Sequence, residues 1–359
     1  MNKPQSRQGA EKKTISKISA PPRLGSSISI FRARLVRWFL KNARDLPWRR
    51  TRDPYAILVS EIMLQQTQVA TVIPFFERWM KRFPNIESLA RADETDVLKM
   101  WQGLGYYSRA KNLHRAANAV LERFRGRFPR ALEDIRALPG VGRYTAGAVA
   151  TFAFDEATPI IDANIARVLA RIFCVEIPID SSAGKNLLWQ HAENLQPQKN
   201  ARLFNGALME LGALICTSRA PKCALCPVAN FCIALKTGRA EKLPIKRPRR
   251  ETIELIENCA LIISRGKILL EKQTGSRWRG MWKLPQLSPA SISQNSQSQK
   301  PLAQLVYPFT HHRVKLSIFK TAVPREPASN QAWQQIDALD EIAIPSPHRR
   351  ALDVCFASQ

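Results

Sequence analysis

The stretch from Leu138 to Asn164, LPGVGRYTAGAVATFAFDEATPIIDAN, constrains the fold more than any other part of the chain. Pro139, Gly140 and Gly142 are unfavourable inside a helix, so they predict a tight turn. The segments on either side, RALEDIRAL and RYTAGAVATFAF, both suit short helices. The stretch therefore predicts a helix, a glycine-rich hairpin and a second helix.

Such a hairpin leaves backbone N–H groups around Gly140 and Gly142 without partners at the start of a helix. These groups form an anion site, for which a DNA phosphate is the obvious ligand. An ordinary turn between two helices explains the same glycines, because glycine is common in turns. Features elsewhere in the chain are needed to distinguish a phosphate-binding hairpin from an ordinary turn.

The charge balance favours a nucleic-acid partner. The chain has 359 residues, with 55 Lys and Arg against 29 Asp and Glu, a net charge of +26. Such an excess points to a polyanion, nucleic acid before an anionic membrane. No apolar run approaches the roughly 20 residues of a membrane span, and no apolar signal segment begins the chain. We expect no membrane association.

The composition divides the chain into four segments. Residues 1–27 are polar and carry six Lys and Arg against one Glu, which predicts a disordered basic tail. Helical periodicity extends over 28–235, with Phe31 and Leu35 on one face of the first helix. Residues 236–252 form a basic linker, and 253–359 read as a separate domain. The prediction is an all-α domain followed by a small α+β domain.

The α+β domain shows alternating, β-type segments. IELIENCALIIS and KILLEKQ predict two strands joined by Arg265 and Gly266, and LAQLVYPFTHHRVKLSIFKTAV predicts further strands. AWQQIDALDEI and PSPHRRALDVCF suggest short helical segments. Between them, SPASISQNSQSQKP has the composition of a flexible loop.

Four of the seven cysteines lie within 17 residues, at Cys216, Cys223, Cys226 and Cys232. Four thiolates at this spacing suit one metal centre in a reducing compartment, either tetrahedral zinc or a [4Fe–4S] cluster. The spacing alone leaves both open. Arg219 and Lys222 flank the cysteines, so we expect a metal-stapled loop that presents basic residues to DNA.

The hairpin, an aspartate 20 residues after Gly142 and the four-cysteine loop form a specific combination. Together with DPYAILVSEIMLQQTQV, GLGYYSRA and IIDANIARVLAR, they resemble the MutY-type adenine DNA glycosylases of the endonuclease III superfamily. The resemblance implies a helix–hairpin–helix glycosylase domain with a [4Fe–4S] module at 216–232 and a Nudix-like domain. It also implies a monomer that removes adenine opposite 8-oxoguanine or guanine in double-stranded DNA. A cytoplasmic bacterial protein associated with the nucleoid is expected.

The resemblance assigns the catalytic residues. Glu61 lies on a helix that begins near Pro54, beside an apolar stripe, where partial burial would raise its pKa and keep it protonated. By resemblance Glu61 protonates adenine, while Asp162 stabilises the sugar cation. Asn164 and Tyr144 match residues that orient the site. Because related lyases carry a lysine at the position of Tyr144, the sequence predicts a glycosylase that does not cut the strand.

The resemblance also assigns residues that bind DNA. Gln66 and Tyr106 match residues that enter the duplex at the lesion when the base is extruded. Phe309, Thr310 and His311 match a Phe-Ser-His loop that recognises 8-oxoguanine. The Glu-rich helix that holds Mg²⁺ in Nudix hydrolases has no counterpart here, so we expect recognition rather than hydrolysis.

Two other functions remain open. The first is a glycosylase and lyase that acts on oxidised pyrimidines. The presence of Tyr144 and of the second domain argues against it. The second is an iron–sulfur protein that binds DNA or senses redox state without catalysis. Such a protein would not need acidic residues at Glu61, beside an apolar stripe, and at Asp162, after the hairpin.

Overall fold

A computed structural model describes residues 25–248, 251–275, 277–287 and 300–357 of the chain. Within these ranges only helices, and no strand, precede residue 250. None of the helices described is long and apolar enough to cross a bilayer. The helices are α1 (Gly25–Asn42), α2 (Pro54–Leu64), α3 (Val69–Arg82), α4 (Ile86–Ala90), α5 (Glu94–Trp101), α6 (Ser108–Phe124), α7 (Leu132–Arg136), α8 (Arg143–Phe154), α9 (Ala163–Ile172), α10 (Ser182–Leu195), α11 (Ala201–Leu214) and α12 (Ile233–Lys236).

The first helix begins inside the segment assigned above to the basic tail. α1 starts at Gly25, and residues 1–24 lie outside the described part of the chain. Phe31, Leu35 and Phe39 follow helical spacing and are all buried. This apolar face packs against α11, where the ring of Phe31 meets that of Phe204, which explains why the helix forms here.

The helices pack around two adjoining hydrophobic cores. One core gathers buried residues of α2 to α8, and the other gathers residues of α1 and of α9 to α11. α8 contributes to both, because Ala146 and Val149 belong to the first core and Ala148 to the second. Its small side chains let neighbouring helices approach closely on every side. The two cores therefore meet along α8.

The helix that carries Glu61 ends before Val69, although residues at helical spacing continue from Leu58 to that position. Asp53 caps α2 by accepting from the backbone N–H groups of Tyr55 and Ala56, and Pro54 fits the first helical position. The helix ends at Leu64, because Gln65 is extended and Gln66 is left-handed at φ +59°. The spacing that continues to Val69 belongs to α3, a separate helix.

The predicted glycine-rich hairpin is confirmed between α7 and α8. The N–H of Val141 donates to the carbonyl of Leu138 at 3.1 Å, which closes the turn. Gly140 has φ +76°, and a Cβ there would lie 2.5 Å from Cβ of Asn112. Both its backbone conformation and the close neighbour require glycine.

The described residues of the C-terminal domain form two sheets and one long helix. The strands are β1 (Ile253–Leu261), β2 (Ile263–Ser264), β3 (Lys267–Lys272), β4 (Trp282–Lys283), β5 (Ala303–Phe309), β6 (His312–Lys320) and β7 (Gln331–Gln335). β6 pairs in parallel with β1 and antiparallel with β5. β3 pairs antiparallel with β2, β4 and β7. The helix α13 (Ser346–Ala357) covers the core of this domain.

The structure corrects one prediction in this domain. The segment AWQQIDALDEI, expected to be helical, forms strand β7 over Gln331–Gln335, and only Leu339–Glu341 makes a single 3-10 turn. β7 is held by its pairing with β3, a distant contact that outweighs the local helical tendency. The Ser- and Gln-rich segment 288–299 lies outside the described residues.

The two domains share packed side chains. Met281, from the loop before β4, is completely buried and belongs to the first helical core. Trp278 contacts both that core and the core of the C-terminal domain. Gly280 lies against α6, where a Cβ would be 3.4 Å from Nζ of Lys111. The loop 277–281 therefore docks the C-terminal domain onto the helical domain.

Candidate active site

A cavity of about 990 Å³ lies between α2 and the start of α9. The side chains of Glu61, Tyr144, Asp162 and Asn164 all line it, although they come from three separate helices and a cap. The structure thus brings together the four residues that the sequence nominates for catalysis. The cavity is large enough to receive an extruded base and its sugar.

Glu61 is buried on α2, with 4% of its surface exposed. The hydroxyl of Tyr144 donates a hydrogen bond of 2.7 Å to Oε2 of Glu61. Burial raises the pKa of Glu61 to about 7, and the nearby charge of Asp162 contributes in the same direction. A carboxyl group with this pKa is partly protonated near neutral pH and is able to donate a proton.

Asp162 caps the N-terminus of α9. Its Oδ1 accepts from the N–H of Ile165 at 2.7 Å, and its Oδ2 accepts from Nδ2 of Asn164 at 2.9 Å. Burial raises the pKa of Asp162, whereas these hydrogen bonds lower it by favouring the ionised form. The cap and the Asn164 amide fix the carboxylate at one place on the cavity wall.

A cluster of charged residues that our sequence analysis missed forms another wall of the cavity. Glu210 of α11 is fully buried and accepts from Nε of Arg44 at 2.8 Å and from Nη2 of Arg49 at 2.7 Å. Burial alone would raise the pKa of Glu210, but the two arginines outweigh it and lower the pKa to about 2. In the sequence, the signal for this cluster is Glu210 itself, the one acidic residue in the apolar segment ARLFNGALMELGALIC.

The hairpin places its second glycine at an open position. Gly142 is the N-cap of α8. Among the described residues no side chain caps this helix end, and a Cβ on Gly142 would meet none of their atoms within 4 Å. Two residues further on, Tyr144 contacts Glu61 inside the cavity. The hairpin thus connects an accessible helix N-terminus directly to the active-site cavity.

Gln66 and Tyr106 lie at the tips of two short turns. Both have positive φ, +59° for Gln66 and +47° for Tyr106, and both side chains are exposed. Gln65, beside the first tip, lines the cavity and donates to Oγ1 of Thr145 at 3.5 Å. An exposed tyrosine, 52% accessible, in a glycine-flanked turn is available to a partner outside the protein.

Phe309, Thr310 and His311 form the hairpin between β5 and β6. Thr310 is left-handed at φ +53°, and its hydroxyl donates to the carbonyl of Phe309 at 2.7 Å. Thr310 and His311 are exposed, while the ring of Phe309 lies under the guanidinium of Arg277 at 4.4 Å. Residues of this hairpin do not line the cavity around Glu61.

The four clustered cysteines line one small apolar cavity next to α9 and α11. All are free thiols. Burial, with a contribution from the neighbouring thiols, raises the pKa of Cys226 to about 12. Four thiolates at one point therefore need a positive centre to stabilise them, and an iron–sulfur cluster or a metal ion fits this donor set.

A chain of hydrogen bonds connects the cysteine loop with Asp162. Arg167 donates from Nε to the carbonyl of Cys216 at 2.7 Å and from Nη2 to Oδ1 of Asn164 at 2.9 Å. Asn164 in turn donates to Asp162 at 2.9 Å. The position of the carboxylate therefore depends on the loop that holds the thiols.

Three family models match the chain. Residues 59–191 match the HhH-GPD superfamily of base excision DNA repair proteins, and residues 216–232 match the iron–sulfur binding domain of endonuclease III. Residues 258–354 match a NUDIX domain. These matches confirm the predicted fold class, an iron–sulfur module and a Nudix-like domain.

Solved structures agree with the helical fold. A thermostable thymine-DNA glycosylase superposes with a TM-score of 0.55 and 32% identity, covering 59% of this chain and 98% of that one. A non-covalent endonuclease III–DNA complex superposes with a TM-score of 0.51 and 20% identity, over 59% of this chain and 97% of that one. The second likeness concerns the fold alone.

Curated relatives extend over both domains. An adenine DNA glycosylase of Buchnera aphidicola subsp. Schizaphis graminum is 32% identical over 91% of this chain and 99% of its own length. An adenine DNA glycosylase of Mus musculus is 42% identical over 66% of this chain, which spans about half, 47%, of the mouse protein. The chain is therefore a DNA-repair enzyme that belongs to the adenine DNA glycosylase family.

Proposed function

We propose that this protein hydrolyses the N-glycosidic bond of adenine mispaired with 8-oxoguanine or guanine and leaves an abasic site. The observation that carries the proposal is the pairing of Glu61, whose pKa is near 7, with Asp162 in one cavity. Cleavage of this bond needs an acid for the leaving base and a negative charge for the sugar. The two carboxyl groups meet both requirements.

Glu61 is the proposed acid that protonates the departing adenine. Tyr144 occupies Oε2 of Glu61, while Oε1 has no hydrogen-bond partner among the described residues. Oε1 is therefore the atom that would carry the proton to the base. Burial keeps that proton bound near neutral pH, which an exposed glutamate would not do.

Asp162 is the proposed stabiliser of the sugar cation. The N–H of Ile165 and the amide of Asn164 hold its two oxygens in place, so little reorganisation is needed as positive charge develops. Asn164 is in turn oriented by Arg167. Asn164 thus acts on the reaction through the carboxylate that it positions.

Strand cleavage is not part of the proposed reaction. A lyase step requires a side-chain amine that attacks the sugar and forms a Schiff base. Tyr144 cannot do this, and no lysine lines the cavity in the described part of the chain. The product is therefore an intact strand with an abasic site.

The proposed DNA contacts surround the cavity. The open helix end at Gly142, with Gly140 shaping the turn, suits a backbone phosphate. Gln66 and Tyr106 would fill the space that the extruded base leaves. Phe309, Thr310 and His311 would face the 8-oxoguanine. We further propose that the protein acts as a monomer on nucleoid DNA.

The four cysteines are proposed to hold a [4Fe–4S] cluster. Bound there, the cluster supplies positive charge that stabilises four thiolates and folds the loop. Arg171 donates to the carbonyl of Thr217 at 2.6 Å and to Sγ of Cys216 at 3.3 Å, which fixes the loop against α9. A purified protein absorbing at about 400 nm would favour iron–sulfur over zinc.

One assay tests the function. Duplexes containing adenine opposite 8-oxoguanine, adenine opposite guanine or an oxidised pyrimidine are incubated with the protein, with and without later alkali. We expect strand breaks only after alkali, and only for the two adenine duplexes. Breaks without alkali would refute the monofunctional reaction, and release from none of the duplexes would favour a non-catalytic DNA-binding protein.

A further inference from the structure

Arg109, near the start of α6, is a buried arginine with an unusual set of partners. It is 7% exposed and no carboxylate pairs with it among the described residues. Burial lowers its pKa to about 10, so it remains charged at neutral pH. Its guanidinium donates to the carbonyl oxygens of Ile62, Met63, Gln65, Leu104 and Gly105 and to Oγ1 of Thr67.

These acceptors belong to two separate chain segments, the end of α2 with the turn that follows it and the turn before α6. The Gln66 turn comprises residues 64–67 and follows the last carbonyls of α2, which have no partner within their own helix. The Tyr106 turn comprises residues 104–107 and precedes α6. Nη1 donates to the carbonyl oxygens of Ile62, Met63 and Gln65, on the α2 side. Nη2 donates to Oγ1 of Thr67 at 3.2 Å and to the carbonyl oxygens of Leu104 and Gly105 at 3.0 and 3.1 Å.

Both turns need such a support. Gln66 and Tyr106 have left-handed backbone conformations, which residues other than glycine rarely adopt. Neither conformation persists unless the surroundings enforce it. The guanidinium also lies 5.5 Å from the ring centre of Tyr106 and 5.3 Å from that of Trp101. One cation thus contacts the backbone of both turns and the ring at one tip.

We propose that Arg109 is a positioning residue that fixes the Gln66 and Tyr106 turns to each other, so that both tips enter the duplex together. The proposal rests on the proposed function, in which these two side chains fill the site of an extruded base. It goes beyond that function by assigning the concerted placement of the tips to a residue that contacts neither substrate nor the reacting atoms.

The geometry requires arginine rather than any cation. The planar guanidinium presents donors in several directions at fixed angles, and here they serve two chain segments at once. A lysine ammonium keeps the charge but cannot span both sets of acceptors. Arg109→Lys therefore separates the bridging function from the charge.

The test measures base extrusion apart from chemistry. A duplex carries 8-oxoguanine opposite a non-hydrolysable 2′-fluoro adenosine, with fluorescent 2-aminopurine as its neighbour. Unstacking raises the fluorescence when the tips insert. We expect Arg109→Lys to lose most of this rise and to slow single-turnover adenine excision by about 10²-fold, since small misplacements have effects of this size. Its KM should change by less than its kcat.

Arg115→Lys is the matched control. Arg115 lies on the same helix and is exposed, and its side chain makes no hydrogen bond or ion pair within the part of the chain that the structure describes. This variant should behave as the unmodified protein. Unchanged fluorescence and excision in a folded Arg109→Lys protein would overturn the positioning role. Absence of excision by the unmodified protein would instead refute the proposed function.

A second variant covers the case in which Arg109→Lys does not fold. Thr67→Val removes one acceptor of Arg109, on one side of the bridge only, and leaves the arginine in place. We expect a smaller decrease of the same fluorescence and rate. A Thr67→Val protein with full fluorescence and full rate would then count against the proposal.

Discussion

The hydroxyl of Tyr144 lies 2.7 Å from Oε2 of Glu61 and connects the helix of the glycine-rich hairpin to the buried carboxyl group. This hydrogen bond lowers the pKa of Glu61, against the larger effect of burial, which raises it to about 7. Tyr144 therefore adjusts the proton affinity of the proposed acid besides occupying one of its oxygens.

The first prediction concerns pH. In the proposed mechanism the acid is protonated Glu61, so the single-turnover rate of excision should fall as the pH rises through about 7. Tyr144→Phe removes the hydrogen bond that favours the ionised form, so the midpoint of this decrease should move to higher pH. Rates of adenine excision measured across the pH range give both midpoints. An unmoved or lower midpoint in Tyr144→Phe would contradict the assignment.

The second prediction concerns stability. The pKa of Glu61 in the folded protein, about 7, exceeds the ordinary glutamate value of 4.5, so the folded protein binds more protons between the two values. The associated stability is complete below pH 4.5 and is lost as the pH rises through 7.

Glu61→Gln should therefore gain stability relative to the unmodified protein between about pH 5 and about pH 8, by an amount on the order of 3 kcal/mol. Thermal unfolding at both pH values measures the gain. Glu122→Gln, at an exposed position of α6, is the matched control and should show no such gain. Equal pH dependence in the two variants would show that Glu61 is not buried as described.

The third prediction concerns Asp162. Asn is also a good N-cap, so Asp162→Asn should preserve the start of α9 and the binding of duplex DNA. Loss of the negative charge should reduce excision by at least about 10²–10³-fold. Gel-shift and single-turnover measurements separate the two effects. Retained turnover would remove Asp162 from the proposed mechanism.

The fourth prediction compares two glycines of one hairpin. Gly140→Ala places a Cβ about 2.5 Å from Cβ of Asn112 at φ +76°, so the melting temperature should decrease clearly. Gly142 has φ −89°, and the methyl group of Gly142→Ala would meet no atom of the described residues within 4 Å, so stability should change by less than about 1 kcal/mol.

A phosphate against the backbone would nevertheless exclude the new methyl group at Gly142. Gly142→Ala should therefore weaken duplex binding while the protein stays folded. Binding curves at several salt concentrations, beside melting curves, distinguish the two positions. Full affinity in Gly142→Ala would show that no phosphate approaches this helix end.

Sequence patterns predicted most of the helices and the hairpin, because these depend on local features. Gly140 needs φ +76° and α1 carries its apolar face at helical spacing. The end of α2 at Leu64 was not predictable in this way, because the carbonyls there are held by Arg109, which follows 45 residues later. β7 depends similarly on pairing with strand β3, whose residues lie 60 to 68 positions before their partners.

The site was predicted in part for the same reason. Glu61 and Asp162 stand in recognisable motifs, and the structure places both on one cavity. The cluster of Arg44, Arg49 and Glu210 has no motif, because its members are brought together by packing of α11 against the segment before α2. Only the three-dimensional arrangement shows that Glu210 has two positively charged partners.

The burial of Met281 in the helical core has a consequence for how such chains diversify. The family models divide this protein at the linker, but the folded molecule has side chains from the C-terminal part embedded in the N-terminal part. Removal of the second domain would uncover the apolar surface of the helical core against which Trp278 and Met281 pack, and an exposed apolar patch favours aggregation. A hybrid that joins halves of two relatives should require matched residues on both sides of this contact. The chain is therefore modular in its sequence but not in its packing.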